Sequence, residues 1–220
     1  MTGDRVPAGV LWDLDGTLVD SAEEHWQAWR ETLEAEGLTV TREQFRATFG
    51  QRNDAILTAW LGAALGPDDL RRIGDTKEAR YRELVSQGAL APLPGAAEWV
   101  RQLADQGWRQ AVASSAPRAN IQVVVAALAL GGYFAALVGA EDVAHGKPAP
   151  DVFLTAAGLL SVPAARAVVV EDAAAGIEAA RRARMRCIGV GAAGFAPADL
   201  VVASLDALPP DAFERLLSDR

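Results

Sequence analysis

Hydrophobic and polar positions along the chain follow two rhythms. Short, nearly continuous apolar runs occur at residues 10–14, 109–113, 136–138, 167–170, 187–190 and 200–202. Runs of that length, bounded by polar or turn-forming residues, predict buried strands. The run at 167–170 is the clearest, that at 136–138 the weakest, and 200–202 reads as an edge strand. Elsewhere apolar residues recur every three to four positions, the spacing of one helix face. Between Val19 and Leu90 this second rhythm stands by itself, and no strand is predicted there.

End signals set the helix boundaries. Ser21 followed three residues later by Glu24 is a capping-box pattern, so a helix starts near Ala22 and stops at Gly37. Thr41 and Gln44 repeat the signature for a second helix. A third spans 53 to about 64, and Asp68 or Asp69 caps a fourth reaching roughly Gln87. After Pro94, helices are predicted over 95–106, from about 117 to 129, from Ala149 or Pro150 to 160, over 173–184 and over 211–217.

Strands alternating with helices imply an α/β fold, a doubly wound, Rossmann-like parallel sheet with helices on both faces. The first connection breaks the rhythm. A parallel crossover needs a dozen or more residues, whereas about 90 separate the first strand from the second. A structureless loop of that length does not fit a compact domain. The economical reading is an inserted α-helical cap subdomain at 21–88, rooted by two linkers on a core built from 1–20 and 89–220. There are no internal repeats, and the alanine-rich patches reflect alanine's helix-forming strength.

Bulk properties narrow the partners. The chain has 220 residues, 50% hydrophobic and 23% charged, with a net charge of −8 and a pI of about 4.8. An acidic surface disfavours nucleic acid or an anionic membrane as partner. No apolar run approaches the ~20 residues of a membrane span. The first residues, MTGDRVPAG, lack the halves of a signal peptide. A single cysteine, Cys187, permits no internal disulfide and fits a reducing cytosol, so a cytoplasmic protein is expected. Cys187 reads as a small core residue. The six tryptophans read mostly as packing, with Trp26 and Trp29 expected to join cap to core.

The chemistry gathers at strand ends. In open parallel sheets, ligands bind outside the carboxyl ends of the strands. Those ends carry Asp13 and Asp15, then Ser114, then Glu171 and Asp172, with Lys147 in a loop on the same side. Four converging carboxylates repel strongly unless a cation sits among them, and a hard-oxygen set favours Mg²⁺. A carboxylate beside Mg²⁺ and a lysine can attack phosphorus while a second one moves protons. Acid–base help of that kind contributes roughly 10²–10⁴-fold. Gly16 allows a tight turn whose backbone N–H groups can hold phosphate oxygens.

Asp-x-Asp-Gly-Thr after an apolar strand, a strand ending in Ser, then Lys-Pro, then Glu-Asp resembles the haloacid dehalogenase superfamily of phosphotransferases, over nearly the whole chain. HGKPAPDVF and VVVEDAAAGIEAA resemble its β-phosphoglucomutase-like subgroup, which carries a small α-helical cap after the first motif. The resemblance implies a nucleophile at Asp13 and an acid/base at Asp15. It also implies phosphate binding by Ser114 and Lys147, and Mg²⁺ held by Asp13, the Asp15 carbonyl and Asp172, with Glu171 close by. His25, Arg52 and Lys77 fall where the mutase has a histidine, an arginine and a lysine facing substrate. Two departures favour hydrolysis over mutase chemistry: Ala116-Pro117-Arg118 stands where the mutase has Ser-Lys-Asn, and Ala55 replaces a cap serine. Thr17 is also more typical of phosphatases. The expected activity is Mg²⁺-dependent hydrolysis of a small phosphorylated metabolite, a sugar phosphate, through an aspartyl-phosphate intermediate; the alternative is a sugar-phosphate mutase. A hinged cap needs free surface, which favours a monomer. Gly189-x-Gly191-x-x-Gly194 fits a dinucleotide fingerprint by letter, but no helix is predicted after it.

Overall fold

The computed structural model describes residues 6–62, 65–88, 90–191 and 198–218. The six apolar runs form one sheet: β1 (Gly9–Trp12), β2 (Arg109–Ala113), β3 (Ala136–Val138), β4 (Ala167–Glu171), β5 (Arg186–Val190) and β6 (Leu200–Val202). Every pairing is parallel, and the order is β3-β2-β1-β4-β5-β6. The chain winds outward from β1 to β3, then returns to build β4–β6 on the other side. The reversal between β1 and β4 opens a crevice at their carboxyl ends. Register decides what emerges there. Trp12 lies beside Val170, so Asp13, the first residue past β1, emerges next to Glu171, the last residue of β4.

Helices α5 (Ala96–Asp105), α6 (Arg118–Ala127) and α9 (Ala212–Ser218) cover one face, while α7 (Asp151–Leu159) and α8 (Ala174–Arg182) cover the other. The two-residue period of a strand sorts the side chains. Val10, Trp12, Val168 and Val170 pack under α5, α6 and α9, and Leu11 and Val169 under α7 and α8. All six are fully buried. Each large apolar side chain removed from water in this way stabilises by roughly 1.5–3 kcal/mol, which is why strands enclosed on both faces read as unbroken apolar runs.

The long first connection is helical: α1 (Ala22–Ala35), α2 (Arg42–Thr48), α3 (Asn53–Leu61) and α4 (Pro67–Gln87). The third helix was expected to run to Ala64, which lies outside the described residues. These helices have a core of their own, made by Trp26, Trp29, Leu33, Phe45, Ile56, Leu57 and Ile73. Trp26 and Trp29 therefore do not join the insertion to the sheet domain as expected. They pack on Phe45 and Trp60 within it, because the four helices must bury their apolar faces against one another. The join is made instead by Ala28, Tyr81 and Val85.

Two helix starts differ from the sequence pattern. Thr41 and Gln44 form the expected capping box. Ser21 precedes α1 but makes no capping bond, because its hydroxyl donates to the Asp15 carboxylate. Helix α4 begins at Pro67 rather than at a cap on Asp68 or Asp69. Proline's fixed φ suits the first helical position, and the two acids then sit in the first turn, where the helix dipole favours negative charge. Among the described residues no helix is long and apolar enough to cross a membrane.

Candidate active site

A cavity of about 760 Å³ lies between the carboxyl edge of the sheet and the helical insertion. Asp13, Asp15, Ser114, Lys147, Glu171 and Asp172 line it from the sheet side, and His25, Arg52 and Lys77 from the insertion. All nine side chains read as candidates from the sequence reach this one space. The tenth candidate, Gly16, does not line it. Its N–H donates to Val19 O at 2.7 Å and so is engaged within the turn rather than presented to a ligand. Gly16 has a different use: its φ is +91°, and a Cβ there would sit 2.1 Å from Asp172 Oδ2. The missing side chain is the space that the Asp172 carboxylate occupies.

Lys147 is the hub on the sheet side. Its ammonium donates to Asp13 Oδ1 and, at 2.7 Å, to Glu171 Oε1. The other oxygen of Glu171 accepts the Ala173 N–H at 2.7 Å. Glu171 fits beneath α8 because position 176 is glycine, where a Cβ would lie 1.7 Å from Glu171 Oε1. Ser114 continues the β2 ladder by donating its N–H to Val138 O at 3.0 Å, and its hydroxyl accepts from Ala116 N at 3.0 Å.

The charge balance is unfinished. Burial works against a charged Lys147, but Asp13 and Glu171 outweigh it and hold the ammonium above its ordinary range. Burial, with repulsion from Glu171 and Asp172, pushes the Asp13 carboxyl well above the usual carboxylate range despite the pull of Lys147. Asp172 is pushed up to about 7, by burial first and by Glu171 next. One lysine does not neutralise three carboxylates. Carboxylate oxygens of Asp13, Glu171 and Asp172 all lie within 4.8 Å of one another, an all-oxygen set whose excess negative charge suits a hard divalent cation such as Mg²⁺.

Asp15 has a separate environment. Burial opposes its charge, but hydrogen bonds from His25 and Ser21 prevail and hold it below its ordinary value. His25 Nε2 lies 3.5 Å from Asp15 Oδ1. The imidazole is stacked on Tyr81, with centroids 3.8 Å apart, and its Nδ1 is 2.7 Å from Lys77 Nζ. With Lys77 donating there, the ring proton belongs on Nε2, facing Asp15. Arg52, immediately before α3, runs along the Gly146–Lys147 loop, where a Cβ on Gly146 would lie 2.8 Å from Arg52 Cδ. The sequence did not single out Asn53, Glu78 or Asn120; Asn53 and Glu78 also line the cavity, and both amides donate to the Glu78 carboxylate. They carry no motif; a buried acid on an otherwise amphipathic helix is the signal that marks Glu78. Arg118 pairs with Asp142 outside the cavity. The glycine-rich pattern at 189–194 ends at Gly194, outside the described residues.

A sheet switch point that gathers acids, a lysine and a serine under a helical insertion defines a class. Residues 7–184 match the family profile described as "Hydrolase: haloacid dehalogenase-like hydrolase", and the chain belongs to that family. The chain is similar to the protein CbbY of Rhodobacter capsulatus, at 36% identity over 81% of this chain and 83% of that protein. It is also similar to the fructose-1-phosphate phosphatase YqaB of Escherichia coli, at 33% identity over 83% of this chain and 96% of that one. The β-phosphoglucomutase of Bacillus subtilis is 34% identical over 88% of each. Among solved structures, CbbY of Rhodobacter sphaeroides in complex with xylulose-(1,5)bisphosphate superposes with a TM-score of 0.85 at 29% identity, covering 92% of this chain and 96% of that one.

Proposed function

We propose that this protein is a Mg²⁺-dependent phosphatase that hydrolyses a small sugar phosphate through an aspartyl-phosphate intermediate on Asp13. The coarser statement, a phosphoric monoester hydrolase, rests on the family and on relatives named as phosphatases. The observation that carries the finer reading is the contact of Lys147 with both Asp13 and Glu171 beside Asp172. That arrangement holds a carboxylate next to a fixed cation on the sheet side of the cavity.

Asp13, Asp172 and the Asp15 carbonyl would hold Mg²⁺, with Glu171 close by. When bound, the metal supplies charge neutralisation for the phosphoryl oxygens. Lys147 and Ser114 bind the same phosphoryl group. Asp13 attacks phosphorus, the ester P–O bond breaks, and Asp15 gives its proton to the leaving oxygen. Asp15, ionised again, takes a proton from water, whose oxygen attacks phosphorus and frees Asp13 and inorganic phosphate. His25 and Ser21 favour the ionised form that the second half requires, and an entering phosphate dianion raises Asp15 by repulsion for the first. The helical insertion acts as a cap that opens for entry and closes to exclude water during the first step. A cavity of about 760 Å³ has room for a sugar phosphate, and relatives act on fructose 1-phosphate or are named for β-phosphoglucomutase activity.

Asp13→Asn is expected to abolish turnover of p-nitrophenyl phosphate, with circular dichroism and melting temperature close to wild type. Substantial turnover by that variant refutes the nucleophile. Supplying β-glucose 1-phosphate separates hydrolysis from the mutase alternative: free phosphate supports hydrolysis, glucose 6-phosphate the mutase.

A further inference from the structure

Glu78 is a buried carboxylate for which the chemistry above has no use. It lies on α4 at 5% exposure and collects donors from three elements. Its Oε1 accepts from Lys77 Nζ at 2.8 Å, its neighbour on α4, and from Asn53 Nδ2 at 2.8 Å, the first residue of α3. Its Oε2 accepts from Asn120 Nδ2 on α6, in the sheet domain. Asn120 is fully buried, and its Oδ1 accepts from Arg82 Nη1 at 2.9 Å, one turn further along α4. One amide of the sheet domain is therefore held at both ends by α4. Burial works against a charge on Glu78, but Lys77 and the donors around it outweigh that and keep its carboxyl below the ordinary range.

Each donor leads into the cavity. Lys77 reaches His25, whose Nε2 faces Asp15. Asn53 follows Arg52 directly. Asn120 stands in the first turn of α6, which begins just after the loop carrying Ser114. We propose that Glu78 is a positioning residue that registers the helical insertion on the sheet domain, so that docking onto Asn120 and the alignment of Lys77, His25 and Arg52 are one event. Its two oxygens are committed in opposite directions, one to the cavity-side donors and one across the seam. Loss of either set leaves a buried charge with unmet hydrogen-bonding capacity, and such a charge disturbs whatever partners remain. The proposal rests on the reading of Asp15 as proton shuttle.

The test uses E78Q, N120D and the double variant of the full chain, with two independent readouts. N120D places a second carboxylate against Glu78, whereas in the double variant the E78Q amide can donate to the N120D carboxylate and restore the bond in reverse. In urea unfolding, the two changes are expected to couple by about tenfold in the unfolding equilibrium constant; additive effects overturn the seam. In steady-state hydrolysis of p-nitrophenyl phosphate, each single variant is expected to lose about tenfold in kcat, with KM within about threefold, because Ser114 and Lys147 still bind the phosphoryl group. The double variant is expected to recover kcat above N120D. A loss confined to KM, or no recovery in the double variant, overturns the positioning role. A wild type that hydrolyses no phosphate ester refutes the phosphatase reading, and the unfolding cycle still judges the seam.

Discussion

Asp13 and Asp15 are two residues apart, yet their surroundings differ in kind. Asp13 faces Lys147 together with two further carboxylates, while Asp15 faces a hydroxyl and an imidazole. That contrast is what supports the separate roles proposed for them. Ser21 is the residue whose role changed most between sequence and structure. It has the spacing of a helix cap, but it is buried beside an ionised carboxylate and satisfies that charge instead. A hydrogen bond to a charged group is worth about 1.5–3 kcal/mol, roughly one to two units of pKa. Ser21→Ala removes a donor that favours the ionised form, so the pKa of Asp15 rises. The limb of the pH–rate profile governed by Asp15 is expected to move up by about one to two pH units; a limb that stays in place refutes the contact's role.

Helix ends make the same point one level up. The Ser21 and Thr41 signals are nearly identical as text, and the Thr41 one forms a capping box. Thr41 is exposed, so nothing competes for its side chain, which accepts from Gln44 N at 3.2 Å while Gln44 Oε1 accepts from Thr41 N at 2.9 Å. Thr41→Ala is expected to cost about 1 kcal/mol of stability, measured by urea unfolding at constant slope. Ser21→Ala is expected to leave α1 unchanged by circular dichroism, since no capping bond is lost. A local signal predicts its element well where solvent surrounds it, and less well where a buried partner outbids the backbone.

At the scale of the whole molecule, binding of a cation at the acid cluster couples to stability. Asp172 is held at about 7 in the fold, above the ordinary aspartate value of about 3.9. The folded, metal-free state therefore binds this proton more tightly than the unfolded state does. The associated stability is present at low pH and is lost as pH rises from about 4 through 7. Mg²⁺ needs the ionised carboxylates, so the rise in melting temperature on adding Mg²⁺ is expected to be small at pH 5 and larger at pH 8. At a hundredfold excess over Kd the stabilisation amounts to about 2.7 kcal/mol. Removal of the metal with EDTA reverses it, and a melting temperature indifferent to Mg²⁺ at pH 8 counts against the site.

The sequence by itself determined the sheet, its parallel sense, the helical insertion and the motif residues at the strand ends. A strand enclosed on both faces must be continuously apolar, and the residue following it emerges at the sheet's edge by chain connectivity. Those are local constraints, written in consecutive letters. Tertiary structure decided the partners: Lys147 with Asp13, 134 residues away; Glu78 with Asn120, 42 residues away; and the glycines at 16 and 176, whose value lies in the carboxylates that fill their missing side chains. It also moved Trp26 and Trp29 from the seam into the insertion's own core. Hydrogen bonds and close approaches across a seam depend on how finished elements dock, and periodicity along one element carries no record of the surface it will meet.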